Sequence, residues 1–195
     1  SAVKDCLWPD RVVIGADNQN AYKIMCDIYR PLYINKNPIT QTTIETAEMI
    51  KYASNSFLAL KISYINEISN LCEVLGADVH DVAKAMGKDG RISEKFLHPG
   101  PGFGGSCFPK DLEALLSISK NNNLSMETVN AAIIVNKNQK KRMENKLINL
   151  FDGNINNRKI AVLGLAFKAN TDDVRESPAI DIIKGILGNG GIVNA

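Results

Sequence analysis

The residues best suited to covalent chemistry are gathered around Cys107, which follows a glycine-rich segment and precedes Pro109 by two positions. Proline is typical of the first turn of a helix, because its missing N–H would be unpaired there in any case. Cys107 is therefore predicted at a helix N-terminus, where the helix and nearby Lys110 would stabilise a thiolate. Asp111 follows one turn later and can share a face with Cys107. Cys107 is the candidate nucleophile; the alternative is a buried structural thiol.

The preceding segment, Gly100 to Gly105, fits the dinucleotide pattern G-x-G-x-x-G. The pattern indicates dinucleotide binding only when a strand precedes it, whereas residues 93–97 look helical and Pro99 follows them. We therefore do not assign it as a dinucleotide fingerprint. Because its glycines let backbone N–H groups approach closely, it is either a ligand-contacting loop or a structural turn.

A second polar pair lies on a predicted long helix, where Lys51 and Asn55 are spaced i and i+4. Leu58, Ile62 and Ile65 continue the same stripe, so the pair is predicted on an otherwise apolar face. A lysine turned toward a core is costly unless it is paired. Lys51 either extends its charge to solvent or acts, with Asn55, as a donor to a reacting oxygen.

The third candidate is the loop 166–175, which follows a predicted buried strand. Parallel α/β folds bind ligands at the carboxyl ends of their strands. Lys168 and Arg175 would suit a phosphate or pyrophosphate there. A solvated charged loop explains the same composition.

Composition narrows the class of protein. The 195 residues carry 23 Lys and Arg against 21 Asp and Glu, a net charge of +2, so no basic field favours nucleic acid. No apolar run is long enough to span a membrane. Four scattered cysteines and two histidines indicate neither a metal site nor a disulfide framework, and we expect reduced thiols in the cytoplasm. The cysteines expected to be buried and structural are Cys6, Cys26 and Cys72.

Hydrophobic periodicity divides the chain into three parts. Residues 40–151 form an all-α unit without a strand candidate, built on one helix from about Thr42 to Gly76, with further helices over 78–86, 93–97, 109–119 and 126–151. Residues 1–39 contain a strand at 11–14, a helix at 18–29 and a strand or connector at 32–37. Residues 152–195 contain a strand at 159–165, a helix from Ser177 to about Gly188, and the next strand at Ile192. The predicted fold is a mainly α central domain flanked by partial α/β segments.

Three motifs in order, ETAEMIKYASN from Glu45, GFGGSCFPKD from Gly102 and GLAFK from Gly164, resemble the nucleotide-sugar dehydrogenases of the UDP-glucose/GDP-mannose dehydrogenase family. The resemblance covers nearly the whole chain. It implies that residues 1–39 are the C-terminal remnant of an NAD-binding domain, 40–151 the central helical dimerisation domain and 152–195 the start of a UDP-binding Rossmann-like domain.

The resemblance also implies site residues. The catalytic ones are Cys107, Lys51, Asn55 and Asp111. Those expected to contact the nucleotide sugar are Arg91, reaching a neighbouring subunit's site, and His98, Pro99, Gly100, Pro101, Gly102, Phe103, Gly104, Phe167 and Lys168. Those expected to approach NAD are Cys107, Lys110 and Arg175.

The implied reaction is the four-electron, NAD-dependent oxidation of UDP-glucose to UDP-glucuronate through a cysteine thiohemiacetal and thioester, in a homodimer formed by the central helical domain. GDP-mannose and UDP-N-acetyl-hexosamine dehydrogenases share the catalytic positions and are alternatives. Because both flanking segments supply only part of an α/β domain, we expect the chain to be a piece of a longer enzyme and inactive alone. A non-catalytic dimerisation and nucleotide-sugar-binding core is the alternative from a different class.

Overall fold

The structure is a computed structural model that describes residues 2–31 and 39–195. The chain forms two compact units, residues 1–54 and 55–195. The strand or connector predicted at 32–37 lies outside the described residues.

The first unit is a small parallel α/β segment. Its elements are helix α1 (Ala2–Leu7), strand β1 (Val12–Gly15), helix α2 (Gln19–Tyr29), strand β2 (Ile39–Thr42) and the start of helix α3 (Ile44–Leu75). β1 and β2 pair in parallel, with Val12 opposite Ile39. Asn18 caps α2, because its Oδ1 accepts a hydrogen bond from the Ala21 N–H at 2.8 Å. The predicted strand at 11–14 and helix at 18–29 are confirmed.

Strand β2 corrects one prediction. The expectation that 40–151 contains no strand is wrong for Thr40, Gln41 and Thr42, which continue the strand from Ile39. Only one residue of this ITQT strand is apolar, so the sequence carries no hydrophobic run to mark it. The strand is defined by its hydrogen-bonded partner β1, a contact between segments far apart in sequence.

Helix α3 has the ends that its sequence predicts. Thr43 Oγ1 accepts a hydrogen bond from the Thr46 N–H at 3.2 Å at the start. At the end Gly76 has a φ of +70°, and the Ala77 N–H donates to the Cys72 carbonyl at 3.0 Å. This is the Schellman arrangement, which requires a residue that tolerates the left-handed region. The 32 residues give a rod of about 48 Å.

The part of α3 in the second unit buries small and polar residues: Ser56, Ala59, Ser63 and Asn66. Ser63 Oγ donates to the Ala132 carbonyl of helix α6 (Glu127–Asn149) at 2.9 Å. Of the predicted stripe of Leu58, Ile62 and Ile65, only Ile65 is fully buried. It packs with Ala83 and Leu97.

Two further helices complete the helical part: α4 (Val79–Gly87), capped by Asp78, and α5 (Phe108–Asn121). Both were predicted and are confirmed, as is α6. The helix predicted at 93–97 is wrong. Ser93 and Phe96 have φ values of 68° and 66°, in the left-handed region that interrupts a right-handed helix.

The last segment of the chain docks on the central helices. Strand β3 (Lys159–Ala161), helix α7 (Pro178–Gly188) and strand β4 (Ile192–Asn194) form a second parallel α/β piece. The Lys140 ammonium of α6 lies 2.6 Å from the Asp181 carboxylate of α7. Ile155 and Ile186 are fully buried. β3 is shorter than the strand predicted at 159–165, whereas α7 and β4 fall where predicted.

The fold class is confirmed: a helical region built on α3 has a parallel, two-stranded α/β segment on either side of it in the sequence. Within residues 2–31 and 39–195, no helix combines the length and the apolar character that crossing a membrane requires.

Candidate active site

The second unit contains a cleft of about 630 Å³ that has Cys107 in its wall. Its other lining residues are the segment 102–106, Phe108, Ile62, Lys95, Phe96, His98, Phe167 and Lys168. The cleft therefore gathers residues from α3, from the glycine-rich loop, from the start of α5 and from the loop after β3. Four of the lining residues are phenylalanines, which makes it largely apolar.

Cys107 occupies the N-cap position of α5, as predicted from Pro109. Its side chain makes no capping hydrogen bond and is exposed, with Sγ 3.8 Å from Ser106 Oγ. Its backbone carbonyl accepts the first helical hydrogen bond, from the Asp111 N–H at 2.8 Å. The thiol thus lies in the wall of the cleft at the N-terminal end of a helix.

Asp111 lies in the same first turn but is not part of the cleft lining. Its carboxylate is almost fully buried, and Oδ2 accepts a hydrogen bond from Asn55 Nδ2 of α3 at 2.6 Å. Lys110 Nζ lies 3.4 Å from the other oxygen, although the Lys110 side chain is 75% exposed. The structure brings the predicted residues Asn55 and Asp111 together as a direct hydrogen-bonded pair that joins α3 to α5.

Asn136 of α6, which the sequence analysis did not single out, holds the glycine-rich loop. Its Oδ1 accepts from the Phe103 N–H at 2.7 Å, and its Nδ2 donates to the Phe103 carbonyl at 3.0 Å. Gly102 passes so close that a Cβ there would lie 2.8 Å from Asn136 Oδ1, and its φ is +117°. In the sequence, Asn136 is an asparagine among the apolar residues of a predicted helix. Many exposed asparagines have the same surroundings, so this pattern does not identify a residue that holds a loop.

The other side of the loop lies against the segment after β3. The Gly105 N–H donates to the Arg175 carbonyl at 2.9 Å. A Cβ on Gly104 would lie 2.1 Å from the Glu176 carbonyl oxygen, and one on Gly105 would lie 2.7 Å from the Phe167 ring. These glycines allow two backbone segments to touch, so the loop has a structural role in addition to lining the cleft.

Aromatic rings form one wall of the cleft. The Phe108 ring lies 5.8 Å from that of Phe103, edge to face, and 6.1 Å from that of Phe96. Lys168 Nζ lies 5.3 Å from the centre of the Phe167 ring. Such a wall suits the apolar faces of a sugar or base, with cations at its rim.

Arg175 lies near the thiol but is engaged by its own neighbour. Its guanidinium donates two hydrogen bonds to Asp173, at 2.9 and 2.7 Å. These bonds chiefly lower the pKa of Asp173, to about 2. Asp173 in turn raises the pKa of Arg175, with a smaller contribution from the charge of Cys107. The ion pair therefore fixes the orientation of the Arg175 guanidinium.

Not every predicted site residue lines the cleft. Pro99, Gly100 and Pro101 do not. Arg91 lines a separate apolar groove with Phe57 and Tyr64, and its guanidinium is bonded to Asp89. Its predicted reach into a neighbouring subunit stays a prediction.

Lys51 belongs to the first unit, where its side chain is exposed. This exposure is compatible with both predicted roles of Lys51, a charge extended to solvent and a donor to a reacting oxygen, so its role stays a prediction. The expectation that the three remaining cysteines are buried holds for Cys72 but not for Cys6, which is exposed, or Cys26, which is half-buried.

The class of protein that this fold and cleft define is a mainly helical protein with α/β segments and an exposed thiol in an apolar cleft. The sequence pattern of the central domain of the UDP-glucose/GDP-mannose dehydrogenase family matches residues 45–138, and that of the family's UDP-binding domain matches residues 161–195. The chain belongs to the UDP-glucose/GDP-mannose dehydrogenase family.

Individual relatives agree with this assignment. A UDP-glucose 6-dehydrogenase of Rhizobium meliloti (strain 1021) is 50% identical over 195 residues, which cover 99% of this chain and 45% of the relative. A UDP-glucose dehydrogenase structure from Pyrobaculum islandicum has a TM-score of 0.93 at 41% identity, covering 99% of this chain and 44% of that one. A UDP-D-ManNAc dehydrogenase structure from Pyrococcus horikoshii has a TM-score of 0.84 at 29% identity, covering 98% and 44%. The chain spans less than half the length of these relatives.

Proposed function

We propose that the protein carrying this chain is an NAD-dependent nucleotide-sugar 6-dehydrogenase that oxidises UDP-glucose to UDP-glucuronate. The observation that carries the proposal is the exposed Cys107 thiol at the N-terminus of α5, in the wall of an aromatic cleft. The similarity to enzymes named UDP-glucose 6-dehydrogenase favours the glucose substrate over other nucleotide sugars.

In this proposal Cys107 acts on the aldehyde that the first oxidation of the sugar C6 alcohol produces. The sulfur bonds to the aldehyde carbon, and the carbonyl oxygen takes up a proton to give a thiohemiacetal. Removal of a hydride and a proton leaves a thioester. Water then attacks the thioester carbon, the carbon–sulfur bond breaks, and the carboxylate and the free thiol are released.

Asn55, Asp111 and Lys51 have supporting roles. The buried Asp111 fixes the Asn55 amide through the 2.6 Å hydrogen bond, so Asn55 can orient water or a reacting oxygen with little reorganisation. Asp111 assists proton transfer. Lys51, one turn before Asn55 in α3, is the proposed acid and oxyanion stabiliser.

NAD, when bound, would accept the hydride removed in each of the two oxidations. The exposed cations Lys110 and Arg175, near the exposed thiol, fit the phosphates of such a cofactor. The described residues that follow β1 lead directly to the Asn18 cap of α2 without a glycine-rich phosphate turn. We therefore propose that this chain by itself does not reduce NAD.

The proposal keeps the three-part division of the chain. Residues 1–39 are assigned to the NAD-binding domain, 40–151 to the helical dimerisation domain and 152–195 to the UDP-binding domain. The family matches at 45–138 and 161–195 lie inside the second and third parts, which supports those two assignments.

A homodimer formed by the helical domain is also part of the proposal. Phe57, Tyr64 and Leu71 of α3 are spaced seven residues apart and are 61%, 48% and 55% exposed. Apolar side chains at a seven-residue spacing form a continuous stripe on a helix, which suits packing against a second helix. The cytoplasmic location stays a prediction.

The test is the alkylation of Cys107 in the presence and absence of UDP-glucose, followed by mass spectrometry. We expect UDP-glucose to slow alkylation of Cys107 and to leave that of Cys6 unchanged, since both thiols are exposed and only Cys107 lines the cleft. Equal rates with and without UDP-glucose would contradict binding at this cleft.

Competing nucleotide sugars separate the alternatives. Stronger protection by a UDP-N-acetyl-hexosamine would favour the substrate of the Pyrococcus horikoshii relative, and stronger protection by GDP-mannose would favour a different base. NADH formation from UDP-glucose by this chain, above that of a Cys107→Ser variant, would contradict the proposed inactivity. Protection without turnover in a chain extended to the length of its relatives would support a non-catalytic binding core.

A further inference from the structure

We propose that Asn136 and Gln139 of α6, together with Asn66 of α3, are positioning residues that set the path of the cleft loop and so place Phe103 and Cys107 for the nucleotide sugar. The inference rests on the proposed function for its ligand. It concerns side chains that contact the loop backbone and not the substrate.

Two residues of the loop have both their backbone N–H and their backbone carbonyl held by side-chain amides. At Gly100, the N–H donates to Asn66 Oδ1 at 2.8 Å and the carbonyl accepts from Gln139 Nε2 at 2.9 Å. At Phe103, the N–H and the carbonyl are both bonded to the Asn136 amide. A loop without a neighbouring strand thus has its main-chain hydrogen bonds supplied from two helices.

The amides are themselves fixed. Asn66 is fully buried, and Asn136 and Gln139 are nearly so. Gln139 Oε1 accepts a further hydrogen bond from Asn70 Nδ2 at 2.9 Å, which orients the amide toward Gly100. A buried amide held in one orientation restricts the position of the backbone group that it bonds.

Asn66 lowers the stability of the fold, which also favours a role in positioning the loop. Its Nδ2 is buried and has no hydrogen-bond partner among the described residues. A buried donor without a partner is destabilising, and an apolar residue of similar size would avoid it. In this structure the hydrogen bond that Asn66 does make is the one to the Gly100 N–H of the loop.

The loop transmits this placement to the site. Residues 102–108 all line the cleft, and only three residues separate Phe103 from Cys107. Gly105 is hydrogen-bonded to Arg175, and α5 begins at Phe108. Because the backbone after Phe103 is restrained in this way, a displacement of Phe103 should also move Cys107. Loss of the amide bonds should therefore displace the aromatic wall and the thiol together.

The experiment compares Asn136→Ala with Ser63→Ala in the 195-residue chain. Ser63→Ala removes a buried hydrogen bond between the same two helices, to the Ala132 carbonyl, without touching the loop. Both variants lose stability for similar reasons, so the control separates a structural effect from a positioning effect. The measurements are the concentration of UDP-glucose that half-protects Cys107 from alkylation, and hydrogen exchange at the Phe103 amide.

We expect Asn136→Ala to raise the half-protecting concentration about tenfold and Ser63→Ala to leave it within about twofold, since small displacements of binding groups have large effects. Exchange at the Phe103 amide should accelerate only in Asn136→Ala. An equal change in protection in the two variants, or unchanged protection in Asn136→Ala with faster exchange, would overturn the positioning role.

Asn136→Asp provides a second test that keeps the side-chain size. The carboxylate can still accept a hydrogen bond from the Phe103 N–H. Its second oxygen cannot donate to the Phe103 carbonyl and repels that oxygen. We expect protection intermediate between the wild type and Asn136→Ala, with the Phe103 amide still slow to exchange.

If UDP-glucose fails to protect Cys107 in the wild type, the proposed function fails. The positioning role is then decided by the alkylation rate of Cys107 relative to Cys6 without ligand, which should change in Asn136→Ala and not in Ser63→Ala.

Discussion

Two faces of helix α3 in the second unit contrast sharply. The buried face carries the small and polar residues Ser56, Ala59, Ser63 and Asn66, whereas the exposed face carries the large apolar residues Phe57, Tyr64 and Leu71. The usual expectation, that the large apolar residues of a helix are buried, holds for Ile65, which is fully buried, but not for these three. Residue size alone therefore does not tell which face of this helix packs within the chain.

The two faces of α3 have different roles. Small residues let α3 approach α6 closely enough for Ser63 to reach the Ala132 carbonyl, and they leave room for amides that hold the cleft loop. The exposed face has the composition of a protein interface, in which aromatic and aliphatic residues form a contiguous patch. One face builds the candidate site, and the other is proposed to build the dimer.

The largest expected effect is on the exposed face. Leu71→Glu places a charge in the proposed interface, and a two-fold axis would place it there twice. We expect about 3 kcal/mol weaker association, more than a hundredfold in the dissociation constant, with the fold of each chain retained. Light scattering across a concentration series measures this, with Ser117→Glu on the exposed surface of α5 as a control for the added charge. A wild type that is monomeric at tens of micromolar would contradict the proposed dimer.

The next effect concerns the buried face. Ala59 is fully buried, so Ala59→Leu would force α3 away from its neighbours and should lower the free energy of unfolding by about 2 kcal/mol. Phe57→Leu, a similar change of bulk on the exposed face, should alter it by less than about 0.5 kcal/mol in the monomer. Urea denaturation compares the two. Equal losses would mean that the two faces are packed alike.

The smallest effect is a pH dependence at the edge of the buried face. Hydrogen bonds from Lys146 and then Arg142 of α6 lower the pKa of Glu73 below its ordinary value of 4.5. The folded state therefore binds this proton less readily than the unfolded state, and the contribution to stability is complete above pH 4.5 and is lost as the pH falls through the lower folded-state pKa. Glu73→Gln should flatten the stability profile slightly between pH 5 and 3 in thermal melts. An unchanged profile would show that solvent screens the pair completely.

Local sequence signals predicted most of the helices and the position of the thiol. Pro109 placed Cys107 at the start of α5, and Gly76 placed the end of α3, because both residues have backbone restrictions that act within a few positions. The helix predicted at 93–97 is wrong for a related reason. The left-handed conformations of Ser93 and Phe96 occur at residues that are not glycine, so the residue types at these positions do not indicate them.

Some residues of the candidate site could be predicted from the sequence and others could not. The motifs gave Cys107, Asn55 and Asp111, and the 2.6 Å contact of Asn55 with Asp111 joins residues that are 56 positions apart. The supporting amides were missed, because an asparagine on a helix is more often a solvated residue than a ligand of a loop. The exposed position of Lys51 was one of two alternatives that the sequence left open, since periodicity measures the angle around a helix and not the presence of a neighbour.

The sequence by itself determined the alternation of α/β, helical and α/β segments, the thiol at a helix N-terminus, and the family to which the chain belongs. These properties depend on residue type and on spacing within a turn or two. The tertiary structure decided which face of α3 is buried, the pairing of β2 with β1, and the amide contacts at Gly100 and Phe103. Those depend on close approach between segments distant in sequence, where shape and hydrogen-bond geometry select among faces that local preferences leave equivalent.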